Sequence, residues 1–155
     1  MSDSTALDTI AALVAVCSAG MPNVYVVDGP AAVKTAALDR LFIGTSDDGT
    51  GISAEGDNPE GMLPGVIDSE TFGILCLAES VTGGNDMSPV RVRAWATRTA
   101  VRALLRPSPQ QIVLGVPALA SARLGPWALT QVQDSQGAYA RVVFRIECIA
   151  RPSTT

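Results

Sequence analysis

A chain with no histidine lacks the commonest general base and the commonest metal ligand, and this chain of 155 residues has none. Serine–histidine and cysteine–histidine nucleophile systems are thereby excluded. The groups left for chemistry are carboxylates, arginines and three cysteines. Asp47, Asp48, Glu55, Asp57 and Glu60 crowd into one stretch between Thr45 and Ser69. Asp47-Asp48-Gly49 and Asp57-Asn58 suggest calcium at first sight, but the glycine arrives too early and no placed glutamate closes an EF-hand loop. Gly49 and Gly51 lack the third glycine and the strand–helix setting of a dinucleotide site. No Gly-Lys-Ser/Thr element provides a phosphate loop. Two carboxylates can share acid–base work only if something holds them in place, and this Gly-, Asp- and Asn-rich stretch reads as a long loop. Cys17, Cys76 and Cys148 are isolated in the sequence, each within apolar residues, and read as buried reduced thiols. No catalytic set, metal or cofactor is expected, and no enzyme.

The arginines are more informative. Lys34 is the only lysine, so ten of the eleven basic residues are arginines. Along a helix at 100° per residue, Val90, Ala94, Thr97, Val101, Leu104 and Leu105 share a core face. Arg91, Arg98, Arg102 and Arg106 gather on a neighbouring face with Trp95 among them. Tryptophan and arginine are preferred anchors of protein interfaces, and their rings and guanidinium groups stack. The formal net charge of −4 argues against a nucleic-acid-binding body. The acidic 45–69 loop is the charge complement of the arginine face, in the same subunit or the next. Candidate interface residues are therefore Arg91, Trp95, Arg98 and Arg102 on one side, with Asp47, Asp48, Glu55, Asp57 and Glu60 on the other.

The elements that position these groups follow from periodicity and punctuation. Thr5 is placed to cap a helix whose stripe is Leu7, Ile10, Val14 and Cys17, stopped at Gly20-Met21-Pro22. Val24 to Val27 and Leu41 to Ile43 read as short strands, and Thr71 to Ala78 as a central strand covered on both sides. Ser88-Pro89 reads as the N-cap and first position of the arginine helix, which runs to about Arg106. Leu114 to Gly125 is weakly patterned, and Trp127 to Gln133 is a strand. Asp134-Ser135-Gln136-Gly137 is a hairpin turn with glycine where positive φ is needed. In the last strand Ala140, Val142, Phe144, Ile146, Cys148 and Ala150 alternate with Tyr139, Arg141, Arg145 and Glu147. The expected fold is α+β: one domain over 1–155, with a twisted, mostly antiparallel sheet flanked by two helices. Its order is helix, two strands, long loop, strand, helix, two strands. The N-terminal stretch carries Asp3 and Asp8 where a signal peptide would be basic, and it is too short and interrupted to span a membrane. A soluble chain made in a cytoplasm is expected.

In layout and in several residues the chain resembles the tail terminator (tail completion) proteins of long-tailed (siphovirus) phages, especially those of actinobacterial hosts. The resemblance rests on the N-terminal helix, Val24-Tyr25-Val26-Val27-Asp28-Gly29, Asp39-Arg40-Leu41-Phe42-Ile43-Gly44, the strand with Glu70, Ile74 and Cys76, the glycine turn, the Arg91-to-Leu105 helix and the closing Ile146-Glu147-Cys148-Ile149-Ala150. It spans most of the chain. The 45–69 stretch is longer and more acidic than the family pattern. The resemblance implies a small α+β subunit of a six-membered ring at the head-proximal end of the virion tail, assembled in the host bacterial cytoplasm. Such a ring caps the tail tube, ends tube polymerisation and joins the tail to the head connector. Implied partners are other copies of the chain, the major tail tube protein and the head–tail connector protein, with DNA passing through the ring and no membrane contact. Another connector or minor tail protein, or a non-viral small-molecule-binding α+β domain, are the alternatives.

Overall fold

Glu70 begins the longest internal strand and is 2% exposed, yet its carboxylate has work to do. It accepts the Thr5 backbone N–H at 2.8 Å and the Ser4 hydroxyl, while Ser4 Oγ accepts the Ala6 N–H at 3.1 Å. A helix N-terminus has four unsatisfied N–H groups and favours negative charge. This pair therefore caps α1 (Thr5–Gly20) and ties it to the sheet. The cap is Ser4, one residue before the expected Thr5. The buried stripe is Thr5, Thr9, Leu13 and Cys17 rather than Leu7, Ile10, Val14 and Cys17. The helix is apolar nearly all round, so periodicity did not single out one face. The two threonines can be buried because Thr9 Oγ1 donates to the Thr5 carbonyl at 2.8 Å.

The structure, a computed structural model, describes residues 4–29, 38–45, 54–57, 69–135 and 137–151. After α1 come β1 (Tyr25–Asp28), β2 (Asp39–Ile43), β3 (Ala54–Asp57), β4 (Glu70–Thr82), α2 (Met87–Leu104), β5 (Leu119–Asp134) and β6 (Gly137–Ala150). One six-stranded sheet runs β1-β2-β4-β6-β5, with β3 pairing β4 below β2. All pairings are antiparallel except β1 with β2. The α+β class and helix–strand order agree with the sequence reading. The difference is β3, which lies within the stretch expected to be an irregular loop. No helix among the described residues is long and apolar enough to cross a membrane.

Both helices pack on one face. That face carries Leu41 and Ile43 of β2, Ile74, Cys76 and Ala78 of β4, and the alternate residues Ala140 to Ala150 of β6, all buried as expected for β6. Val113, Leu114, Val116 and Leu119 close the core between α2 and β5. β4 is buried on both faces over much of its length, but helices cover only one. On the other face, cross-strand partners Phe42 and Leu77 are buried. Beside them Arg40, Glu79 and Arg141 are successive partners across β2, β4 and β6. The Glu79 carboxylate meets Arg40 at 3.1 Å and Arg141 at 2.5 Å. A buried carboxylate held between two guanidiniums is compensated for its lost hydration.

The β5–β6 turn leaves Asp134 opposite Gly137, whose φ is +117°. A Cβ there would stand 2.0 Å from the Thr82 carbonyl oxygen, so only glycine fits this turn.

Cys17, Cys76 and Cys148, far apart in sequence, all lie in the core between helices and sheet, and Cys17 and Cys148 are near enough to act electrostatically on Cys76. Burial pushes the Cys17 thiol up to about 11 and that of Cys148 up to about 12, and raises Cys76 further still. The folded chain thus holds these protons more tightly than the unfolded chain does. The resulting stability is whole below the ordinary thiol value of 9.0 and falls as pH rises through the folded values of about 11 and 12. We expect urea midpoints to be flat up to pH about 9 and to fall steadily above it, and a thiol reagent to label the chain only in denaturant. Rapid labelling of native protein at neutral pH would contradict this burial.

Candidate interaction surface

Asp86 opens α2. Its Oδ1 accepts the Ser88 N–H at 3.2 Å, so the N-cap is Asp86 and not Ser88, and Pro89 stands at the third helical position. At the other end the helix stops at Leu104, two residues short of the expected Arg106. Val90, Ala94, Thr97, Val101 and Leu105 are buried against β4 and β6, while Leu104 is half-buried. Arg93, which the sequence reading passed over, fixes the helix in register. It donates to Asp39 at 3.0 Å and to the Val81 carbonyl at 2.6 Å, and Asp39 also accepts from Ser80 at 2.6 Å.

With that face buried, the arginine face turns towards β5, an outer strand of the sheet. Arg91 donates to Gln131 Oε1 at 3.3 Å. Trp95 meets Trp127 edge to face, with ring centroids 4.8 Å apart. The Arg98 guanidinium lies 4.7 Å from the Trp95 ring centre and 5.9 Å from that of Phe144. The only two tryptophans of the chain thus form one surface contact. They stay 37% and 54% exposed, with exposed Leu129 further along β5. Large aromatic and aliphatic side chains left open beside arginine have the composition of an interface hot spot. Arg91, Trp95, Arg98 and Arg102 are brought together as expected. Trp127, Leu129 and Arg123 join them, and only the fold reveals this, because β5 lies far from α2 in sequence.

Beyond Trp95 the ridge opens into a groove of about 570 Å³ lined by Arg98, Arg102, Arg106, Arg123, Leu105 and Leu124. Arg123 pairs with Glu147 at 3.2 Å. Arg98, Arg102 and Arg106 meet no carboxylate among the described residues. The Nε of Arg98 is buried without a hydrogen-bond partner. Burial, and then the neighbouring charge of Arg102, lower the Arg98 pKa from its ordinary value. Arg102 sits in the last turn of α2, where helix carbonyls favour positive charge.

The acidic side of the expected pairing lies elsewhere. Glu55 is on β3, where it pairs with Arg145 at 2.9 Å, and Asp57 is exposed on the same strand. Arg145 lies flat across Gly73, where any Cβ would stand 1.8 Å from its Nε. Glu55 and Asp57 therefore do not meet the arginine face of their own subunit. Asp47, Asp48 and Glu60 fall outside the described residues. Among the described residues no group of three or more cysteine or acidic side chains could hold a metal ion.

No protein-family model matches this chain, and no curated protein sequence matches it.

The Trp95–Trp127 contact should give a paired exciton band in far-UV circular dichroism. Changing either tryptophan to Phe should abolish it. A double-mutant cycle on urea stability should show coupling of about 0.5–1.5 kcal/mol. Additive effects would mean that the two rings do not meet in solution.

Proposed function

We propose that the chain is a structural virion protein, a ring-forming subunit resembling the tail terminators of long-tailed phages. In this reading six copies form a ring that caps the tail tube, stops further addition of the major tail tube protein and presents a surface to the head connector. DNA passes through it without being gripped. The chain has no catalytic role here.

One observation carries the reading: an exposed Trp95–Trp127–Arg98 ridge beside Arg102 and Arg106, three arginines in all that no described carboxylate answers, at an open sheet edge. Open edges are normally blunted or covered. β5 is blunted only locally, by register shifts at Leu119/Ser121 and at Leu124/Trp127, the second around Gly125-Pro126. From Trp127 to Gln131 it is exposed. A closed ring of identical subunits uses one patch against a different patch on the next copy. A ridge on one edge and acidic residues on another are compatible with that rule.

Native mass spectrometry across a concentration series is the test. A discrete ring, weakened in an Arg98→Glu, Arg102→Glu double variant that keeps its circular dichroism and melting curve, is the expected result. A wild-type chain that stays monomeric at every concentration, or a double variant that assembles unchanged, contradicts the reading.

A further inference from the structure

The groove at the end of α2 has its charge but not its counter-charge. Three of its four arginines, Arg98, Arg102 and Arg106, lack a carboxylate among the described residues, and a buried guanidinium Nε points at no acceptor. That Nε is sealed inside the subunit, as is the unpartnered Nε of Arg145 on the acidic side, so only the outer parts of the groove arginines are open to a ligand. Burial first, and then the like charge of Arg102, lower the Arg98 pKa from its ordinary value. Planar guanidiniums suit planar carboxylates, which they bind through paired N–H donors.

A matching acid stands on the far side of the same sheet. Glu55, Gly73, Glu147 and Arg123 are successive cross-strand partners through β3, β4, β6 and β5. The acidic strand and the arginine groove are thus at the same level along the strands but on opposite sides of the sheet, with two strands between them. Asp57, two residues from Glu55, is exposed and makes no side-chain hydrogen bond or ion pair with another described residue. Among the described residues β3 pairs only with β4. Glu55 and Asp57 line one cavity of about 470 Å³ with Arg123, Arg145 and Glu147, whereas Arg98, Arg102 and Arg106 stand on the helix side of the sheet.

We propose that the groove lined by Arg98, Arg102 and Arg106 is a carboxylate receptor whose occupant is the β3 segment of a second copy of this chain, with Asp57 as its leading group. The contact is directional, groove to strand, so each subunit offers one of each, and a chain of such contacts forms a ring when the rotation between neighbours closes. This inference rests on the ring reading above and specifies the contact that joins neighbours. Phosphate, the other partner of arginine clusters, is disfavoured by the acidic balance of the chain.

The test uses two single variants of the full chain, Arg102→Glu and Asp57→Arg, both at exposed residues, each first shown to keep the wild-type circular dichroism and melting curve. In sedimentation velocity each alone should self-associate roughly tenfold or more weakly than wild type. Mixed one to one, they should assemble again, because each altered groove then meets an oppositely altered strand. Singles that assemble like wild type, or a mixture that stays apart, overturn this contact while leaving the ring reading intact. A monomeric wild type overturns both. Wild-type binding to a short DNA duplex at physiological salt, lost in Arg102→Glu, would make phosphate the ligand and overturn the carboxylate assignment.

Discussion

Two helices can cover only one face of this sheet, and the rest of the molecule follows from how the uncovered parts are made tolerable. On the helix side the answer is ordinary burial: Leu13, Val90, Val101 and the alternate residues of β6 are sealed from water. Each buried aliphatic side chain contributes roughly 1.5–3 kcal/mol by leaving water. On the opposite face Phe42 and Leu77 form a small apolar centre, and charges arranged in rows surround it. Glu79 between Arg40 and Arg141 is the most buried of these. Glu55 with Arg145, and Arg123 with Glu147, repeat the device nearer the edges. Glycine at position 73 gives the Arg145 side chain a flat bed.

The device is incomplete for Arg145, whose Nε is buried without an acceptor, and most of all along β5. Along β5 the helix face offers arginines, while the carboxylates on that side, Asp39 and Glu70, are held by Arg93 and by the start of α1. Trp95 and Trp127 cover each other only in part, and Arg98 lies between ring and core with its Nε unanswered. A subunit that leaves its α2 arginines on an edge, with no carboxylate among the described residues to meet them, is organised for contact with something acidic.

Much of this was legible in the sequence where a single element decided the outcome. The alternation from Ala140 to Ala150 gave β6 its buried face, and the 3.6-residue spacing gave α2 its own. The Arg91, Trp95, Arg98 and Arg102 face was visible for the same reason. What stayed hidden depended on partners distant in the chain. Ala54-Glu55-Gly56-Asp57 has no strand propensity and becomes β3 because β4 offers an edge and Arg145 meets Glu55. The start of β5 lies in Leu119 to Leu124, where small residues and the Gly125-Pro126 step mask a strand that continues through a bulge. Trp127 could not be matched to Trp95 without the register of β5 on β6. The caps moved by one or two residues because Ser4 and Asp86 reach the helix N–H groups better than Thr5 and Ser88.

The central claim is that one strip of surface, the end of α2 with β5, joins this chain to its neighbour through β3. Amide hydrogen exchange, followed by mass spectrometry below and above the concentration of assembly, tests it most directly. The account predicts slowed exchange confined to residues 95–106, 119–131 and 54–57, with the rest of the sheet unchanged. Protection appearing instead along β1 and α1, or no segment-specific change on assembly, would contradict it.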